Sequence, residues 1–167
     1  MKKFIYIFLI VIFSCEKDDI CSETTQTTPR LVIEFYDIQA PDEILSVPGL
    51  FAIGLDAEGL EVPINNEIVT TRSSIALPLK TDDILTEFKI YKSYDLEDGV
   101  VTGNPDTIKI TYDTENIYVS RACGYKTNFD IQTFSITADP SLWMISSEIL
   151  ITKITNENDI HVKILHL

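Results

Sequence analysis

Three cysteines, two histidines and one acidic run are the residues whose types and spacing could do chemistry in this 167-residue chain. The cysteines say the most. Cys15 follows the small residue Ser14, which closes an apolar run from Phe4 to Phe13, and Lys2 and Lys3 precede that run. A positive start, an apolar stretch and a small residue before cysteine read as an export leader, residues 1–14, cut before Cys15. Bulky Ile12, three positions earlier, completes the arrangement needed to attach diacylglycerol to the Cys15 thiol. The competing reading is a plain secretory signal in which Cys15 is incidental. A permanent transmembrane anchor fits poorly, because a span needs about 20 apolar residues. One acyl chain binds a bilayer only marginally, and the several chains of a lipoprotein cysteine make the attachment stable.

With Cys15 committed to lipid, Cys21 and Cys123 remain, an even pair in an oxidising compartment. They are expected to form a disulfide, closing a loop of about 100 residues worth roughly 4.7 kcal/mol of chain entropy. Two free buried thiols or a metal pair are the competing readings. Arg121, beside Cys123 in Tyr118-Val-Ser-Arg-Ala-Cys-Gly-Tyr-Lys126, could lower a thiol pKa and make a reactive cysteine. The preferred reading is a stapled strand end with Gly124 giving the turn.

The histidines, His161 and His166, both lie in the last seven residues. Five apart on a strand, they point to opposite faces and cannot jointly hold a metal. No nucleophile elbow, P-loop, dinucleotide fingerprint, HExxH or spaced CxxC is present, so no catalytic, cofactor or metal residue is assigned. The acids Asp95, Glu97, Asp98 and Asp106 offer oxygen ligands for calcium, but their spacing fails the EF-hand pattern. A solvated hairpin tip is the expected state of this stretch.

Removing residues 1–14 takes away Lys2 and Lys3, leaving 11 basic against 26 acidic residues and a net charge of −15. That surface argues against nucleic acid and anionic headgroups as partners. The remaining 153 residues suit one domain. We divide them into a lipidated tether and extended segment, 15–29, and a single β domain, 30–167. Glu16, Lys17, Asp18 and Asp19 are too polar to join a core, and Pro29 blocks a helix in the Thr-rich stretch before it.

From Arg30 onward the apolar pattern has period two. Leu31, Ile33 and Phe35 share a face, as do Phe88 with Ile90, and Ile108 with Ile110 and Tyr112. Ile75, Leu77 and Leu79 form another run, and Pro78 marks it as an edge strand. Gly49–Gly59 reads as a strand ending in an Asp56–Gly59 turn. Further strands are expected at Ile117–Val119, Ile131–Ala138, Trp143–Lys153 and Ile160–Leu165. Between Tyr94 and Asp106 lies the longest polar connection, expected as a hairpin with a flexible tip. No sustained helical stripe is present. The fold class is all-β, an antiparallel β-sandwich of Ig-like or Greek-key type, with a small β-barrel as the runner-up.

Four strings, CEKDDIC at 15–21, TTPRLVIEFYD at 27–37, SIALPL at 74–79 and YVSRACGYKTNF at 118–129, together resemble an uncharacterised family of Bacteroidota outer-membrane lipoproteins, a domain of unknown function. The His-Val-Lys-Ile ending at 161–164 fits as well. The resemblance implies location and a paired-cysteine β domain, with no catalytic assignment. Cys-Glu-Lys-Asp-Asp also resembles the export signal of surface lipoproteins in such bacteria, which implies the outer face of the outer membrane rather than its periplasmic face. Asp106-Thr107-Ile108 resembles the O-glycosylation triplet of the same group, although an alternating strand produces such a triplet easily.

The expected role is a membrane-anchored binding or accessory domain with a protein or glycan partner at the envelope, not an enzyme and without cofactor. An aromatic cluster beyond the core, drawing on Phe51, Tyr91 or Tyr94, would support binding. The alternative is a carbohydrate-active or other hydrolytic enzyme, which needs two acids, or a histidine and an acid, converging in a cleft.

Overall fold

The structure is a computed structural model that describes residues 20–22, 25, 27–65 and 67–167. The leader and Cys15 lie outside these residues. Among the described residues eleven strands pack as two sheets: β1 (Leu31–Asp37), β2 (Val47–Leu55), β3 (Glu61–Val62), β4 (Thr70–Arg72), β5 (Ser74–Leu77), β6 (Leu85–Glu97), β7 (Val100–Ser120), β8 (Gly124–Ile136), β9 (Met144–Ile149), β10 (Lys153–Ile154) and β11 (Val162–His166). The smaller sheet has the order β5-β1-β11-β9, and the larger runs β10-β8-β7-β6-β2-β3 with β4 also on β2. Among the described residues no helix is long and apolar enough to cross a membrane.

The period-two pattern explains the layering. Leu31, Ile33 and Phe35 of β1 and Val162 and Ile164 of β11 meet Leu50, Phe88, Ile90, Ile108 and Ile110 of the larger sheet in one core. Each of these side chains is removed from water, worth about 1.5–3 kcal/mol for a residue of this size. The all-β sandwich is therefore as expected, apart from one pair. β1 and β11 run parallel, with Phe35 opposite Ile164. A parallel pair needs a long crossover, and here the rest of the domain supplies it.

Several boundaries differ from the sequence reading: Ile117–Val119, expected as a further strand, is the end of β7, and two other differences reshape the sheets. The polar stretch after Tyr94 is almost all strand: β6 and β7 pair out to Glu97 and Val100, leaving only Asp98 and Gly99 as the turn. Both have positive φ, the backbone a two-residue hairpin turn requires. Trp143–Lys153 is not one strand. It breaks after Ile149 so that β9 lies in the smaller sheet and β10 in the larger. The Leu150 and Ile151 amides at the crossing donate to the His161 carbonyl, which satisfies the backbone where the chain changes sheet. Pro78 sits just past β5, which is an edge strand as its proline indicated.

Candidate functional site

Cys21 and Cys123 are joined, with Cα atoms 4.9 Å apart. Cys123 lies in the Arg121–Cys123 turn between β7 and β8, and Gly124 leaves the turn at φ 69°. Thr25 and Thr28 then meet this hairpin end. Thr28 Oγ1 accepts from the Thr127 amide at 3.0 Å, and Thr25 Oγ1 lies 3.7 Å from Cys123 Sγ. Where the segment enters β1, the Arg30 guanidinium forks onto Glu157 with contacts of 2.9 and 2.6 Å. This pairing holds the Glu157 carboxyl below its usual range, the Arg30 hydrogen bond being the main cause. Both sulfurs being spent in the bond, Cys123 is no reactive thiol.

The two histidines are both buried and do not converge. His166 ends β11 among core aromatics, its ring 6.0 Å from Phe35 and 5.8 Å from Trp143. His161 precedes β11, and its Nδ1 accepts from the Val32 amide at 3.0 Å. Its Nε2 is buried with no partner among the described residues, and burial pushes its pKa down from 6.5. These are structural histidines, one in each of two separate settings.

Nor do the acids of 95–106 form a cage. Asp95, Glu97 and Asp98 are exposed at the β6–β7 turn, whereas Asp106 is fully buried. Its Oδ2 accepts from the Trp143 and Met144 amides at 2.9 and 2.7 Å, capping the start of β9. Burial raises its pKa despite those two donors. Among the described residues no group of three or more metal-ligating side chains occurs. A signal for Asp106 was in the sequence: it continues the inward parity of Ile108, Ile110 and Tyr112. Thr107, next to it, is half-buried on the outward face of the same strand.

The outward face of the larger sheet carries the aromatic cluster. Phe51 of β2 stacks on Tyr94 at 4.4 Å between ring centroids, and Tyr91 meets Tyr94 edge-on at 5.2 Å. Tyr91 and Tyr94, three apart on β6, reach one face because a bulge between Lys92 and Asp95 shifts the register. Ser93 takes φ 57° there, and glycine stands on both flanking strands. A Cβ on Gly103 would come within 2.8 Å of the Ser93 carbonyl oxygen, and one on Gly49 within 3.0 Å of Ser93 Cα. Burial, then the neighbouring Glu61 carboxylate, pushes the Tyr91 hydroxyl up to about 12.

The most developed concavity lies elsewhere, between the β3 margin of the larger sheet and the β5 edge of the smaller one. It encloses about 540 Å³ and is walled by Leu55, Val62, Ile64, Pro78 and Phe88. That is within the range of small-molecule sites, about 300–1,000 Å³. Most of its charged groups are already engaged. Glu67 pairs with Arg72 and also accepts from the Ala52 amide, in the gap that β3 and β4 leave along β2; burial still raises its pKa. Glu87 holds Lys109 at 3.0 Å. Asp56 spends its Oδ1 on the amides of Glu58 and Leu60, making the turn expected there.

Lys80 is the exception. Its backbone is clamped on both sides: its amide donates to Thr86 Oγ1 at 3.1 Å and its carbonyl accepts from the Tyr112 hydroxyl at 2.9 Å. Thr86 and Tyr112 are themselves hydrogen-bonded at 2.6 Å. Lys80 lines the groove, and its side chain makes no ion pair among the described residues. The arrangement can hold an apolar body and neutralise one negative group. Reading along the chain cannot find this site, because its walls come from β2, β3, the following loop, β5 and β6.

A family described only as a family of unknown function, DUF6452, matches residues 50–166. No curated protein and no solved structure matches the chain. The match begins within β2, so it takes in Cys123 and most of the groove but not Cys21.

Proposed function

We propose, from the premise that the chain belongs to the DUF6452 family of unknown function, that it is an envelope lipoprotein whose β domain binds an amphipathic ligand. Lipid on Cys15 holds it to the outer membrane, with the domain facing the cell surface, and the domain works by binding rather than catalysis. The observation that carries the binding role is the groove with Lys80 at its wall: apolar surroundings select an apolar body, and a lysine whose backbone is clamped there offers a cation to one anionic head. Export is supported by the Cys21–Cys123 disulfide, a bond that persists in oxidising compartments.

Calorimetric titration with dodecanoate tests the groove. One molecule should bind per chain, and Val62→Asp should weaken it at least tenfold by placing a carboxylate on the wall. Lys80→Gln should abolish the preference for dodecanoate over dodecanol. Unchanged binding in both variants would refute the site. The anchor is tested separately: Cys15→Ala should free the protein from membranes, and retention would sink the lipoprotein reading.

A hydrolytic role has one observation in its favour, since Glu67 and Glu87 both line the groove and burial lifts the Glu67 pKa. Against it, each carboxylate is already paired, with Arg72 and Lys109. Hydrolysis of an aryl glycoside that vanishes in Glu67→Gln while dodecanoate still binds would decide for the enzyme.

A further inference from the structure

We propose that the β7–β8 hairpin end is a membrane-contacting surface that seats the domain on the bilayer interface, an inference that rests on the lipid anchor at Cys15. The geometry begins with the staple. Cys21 is fixed 4.9 Å from Cys123 in Cα separation, at the tip of the hairpin. Only residues 16–20 separate Cys15 from Cys21. Fully extended, six Cα steps reach at most about 22 Å. The hairpin tip is therefore kept within about 27 Å of the lipidated residue however the intervening chain is arranged. No other end of the domain is bound by so short a leash.

What the hairpin presents there suits the interfacial layer. Tyr118 and Tyr125 face each other across the two strands, rings 5.4 Å apart and close to edge-on. They are 55 % and 70 % exposed, the only aromatic side chains among the described residues that are mainly open to water. The other tyrosines and phenylalanines among the described residues are buried or half-buried. Ile20, beside the staple, is 83 % exposed, and the Arg121 side chain stands in the turn itself. Tyrosine concentrates at membrane interfaces because its ring is apolar and its hydroxyl stays wet. Arginine there keeps its charge at the headgroups while its stem covers apolar surface. A strongly acidic protein gains nothing from an anionic bilayer, so the matching surface is zwitterionic headgroups over acyl chain.

The opposite end of β7 provides an internal control. β7 has 21 residues, some 65 Å if straight, and its other end is the β6–β7 turn. Leu96 there is exposed too, yet no covalent link ties that end to the lipid. Contact should therefore be one-sided.

The test uses the full chain, made in a Gram-negative host, extracted with its lipid and reconstituted on vesicles of brominated phosphatidylcholine. Mass spectrometry first establishes acylation of Cys15; an unacylated Cys15 overturns both the anchor and the proposal resting on it. Tyr125→Trp then places an indole at the hairpin end and Leu96→Trp places one at the far turn. The native Trp143 is buried and gives a constant background. Bromine should quench the added emission at least twofold at position 125 and leave position 96 unchanged. Equal quenching at both positions, in acylated protein, overturns the surface while leaving the anchor standing. The unsubstituted protein gives a second reading: on vesicles, amide exchange over residues 119–125 should slow at least tenfold while residues 96–101 keep their rates, and equal slowing would likewise overturn it.

Discussion

At its Ser120 end β7 is bolted to the N-terminal segment by a covalent bond, whereas towards its Val100 end it is shaped by backbone that glycine best permits. The staple acts mainly on the unfolded chain, by closing a long loop, and leaves local packing almost indifferent to it. The bulge acts on the folded chain. It turns Tyr94 to the face of Phe51 and Tyr91, and it requires two neighbouring strands to approach with no Cβ in the way. One end is thus secured by topology and the other by close packing. A third, quieter constraint lies at His161, where a neutral imidazole completes the backbone pairing of β1.

Breaking the staple should have the largest effect. With a sequence separation of 102, replacing both Cys21 and Cys123 by serine removes roughly 4.7 kcal/mol, less any strain relieved. Calorimetry should show Tm lower by about 10 °C or more. The β6–β7 end should keep its amide protection relative to the rest of the domain. A Tm within 2 °C of the parent, on this order-of-magnitude scale, would mean the unfolded chain is not constrained by the bond.

Breaking the bulge should cost less, and locally. Gly103 has φ 112° and its Cβ would strike the Ser93 carbonyl, so Gly103→Ala should destabilise by about 2–3 kcal/mol in urea unfolding. Gly99 in the turn has φ 81° but open space around a Cβ, so Gly99→Ala should cost only about 1 kcal/mol. Equal losses would show that conformation alone, and not the approach of Ser93, requires glycine at Gly103.

The smallest effect concerns acid. Burial holds the folded-state pKa of His161 below 6.5, so on acidification the unfolded chain takes up the proton first. Its contribution is full above about pH 6.5 and is lost as pH falls from there through the folded value. The slope from this one group is at most about 1.4 kcal/mol per pH unit. Urea midpoints measured at pH 7.5 and 5.5 should differ in the parent and differ less in His161→Gln. The same difference in both would place the acid sensitivity elsewhere.

The alternation in β1, β6 and β7 was legible because a strand facing one core must repeat every two residues, and Leu31, Ile33, Phe35 and Ile108, Ile110, Tyr112 do so without a break. The hairpin after Tyr94 was legible but the length of its strands was not: the exposed end of a two-stranded ribbon has no core face, so its polar residues carry no period. The split of Trp143–Lys153 was hidden because both halves are apolar, and only the sheet each half joins tells them apart. Tyr91 and Tyr94 were named as aromatics, but their common face depends on an extra residue that no pattern announced.

Legible along the chain were the period-two faces, the acidic balance, the turn at Asp56–Gly59 and the pairing of Cys21 with Cys123. These are properties of neighbours along the chain or of simple counting, and neither needs three-dimensional placement. Three features followed only from the assembled fold: the parallel partnership of β1 with β11, the Trp143 and Met144 amides that meet Asp106, and the groove that joins Lys80 to residues from four strands. Each of those depends on which distant segments become adjacent, and adjacency is set by the packing of two sheets over one core rather than by any local spacing.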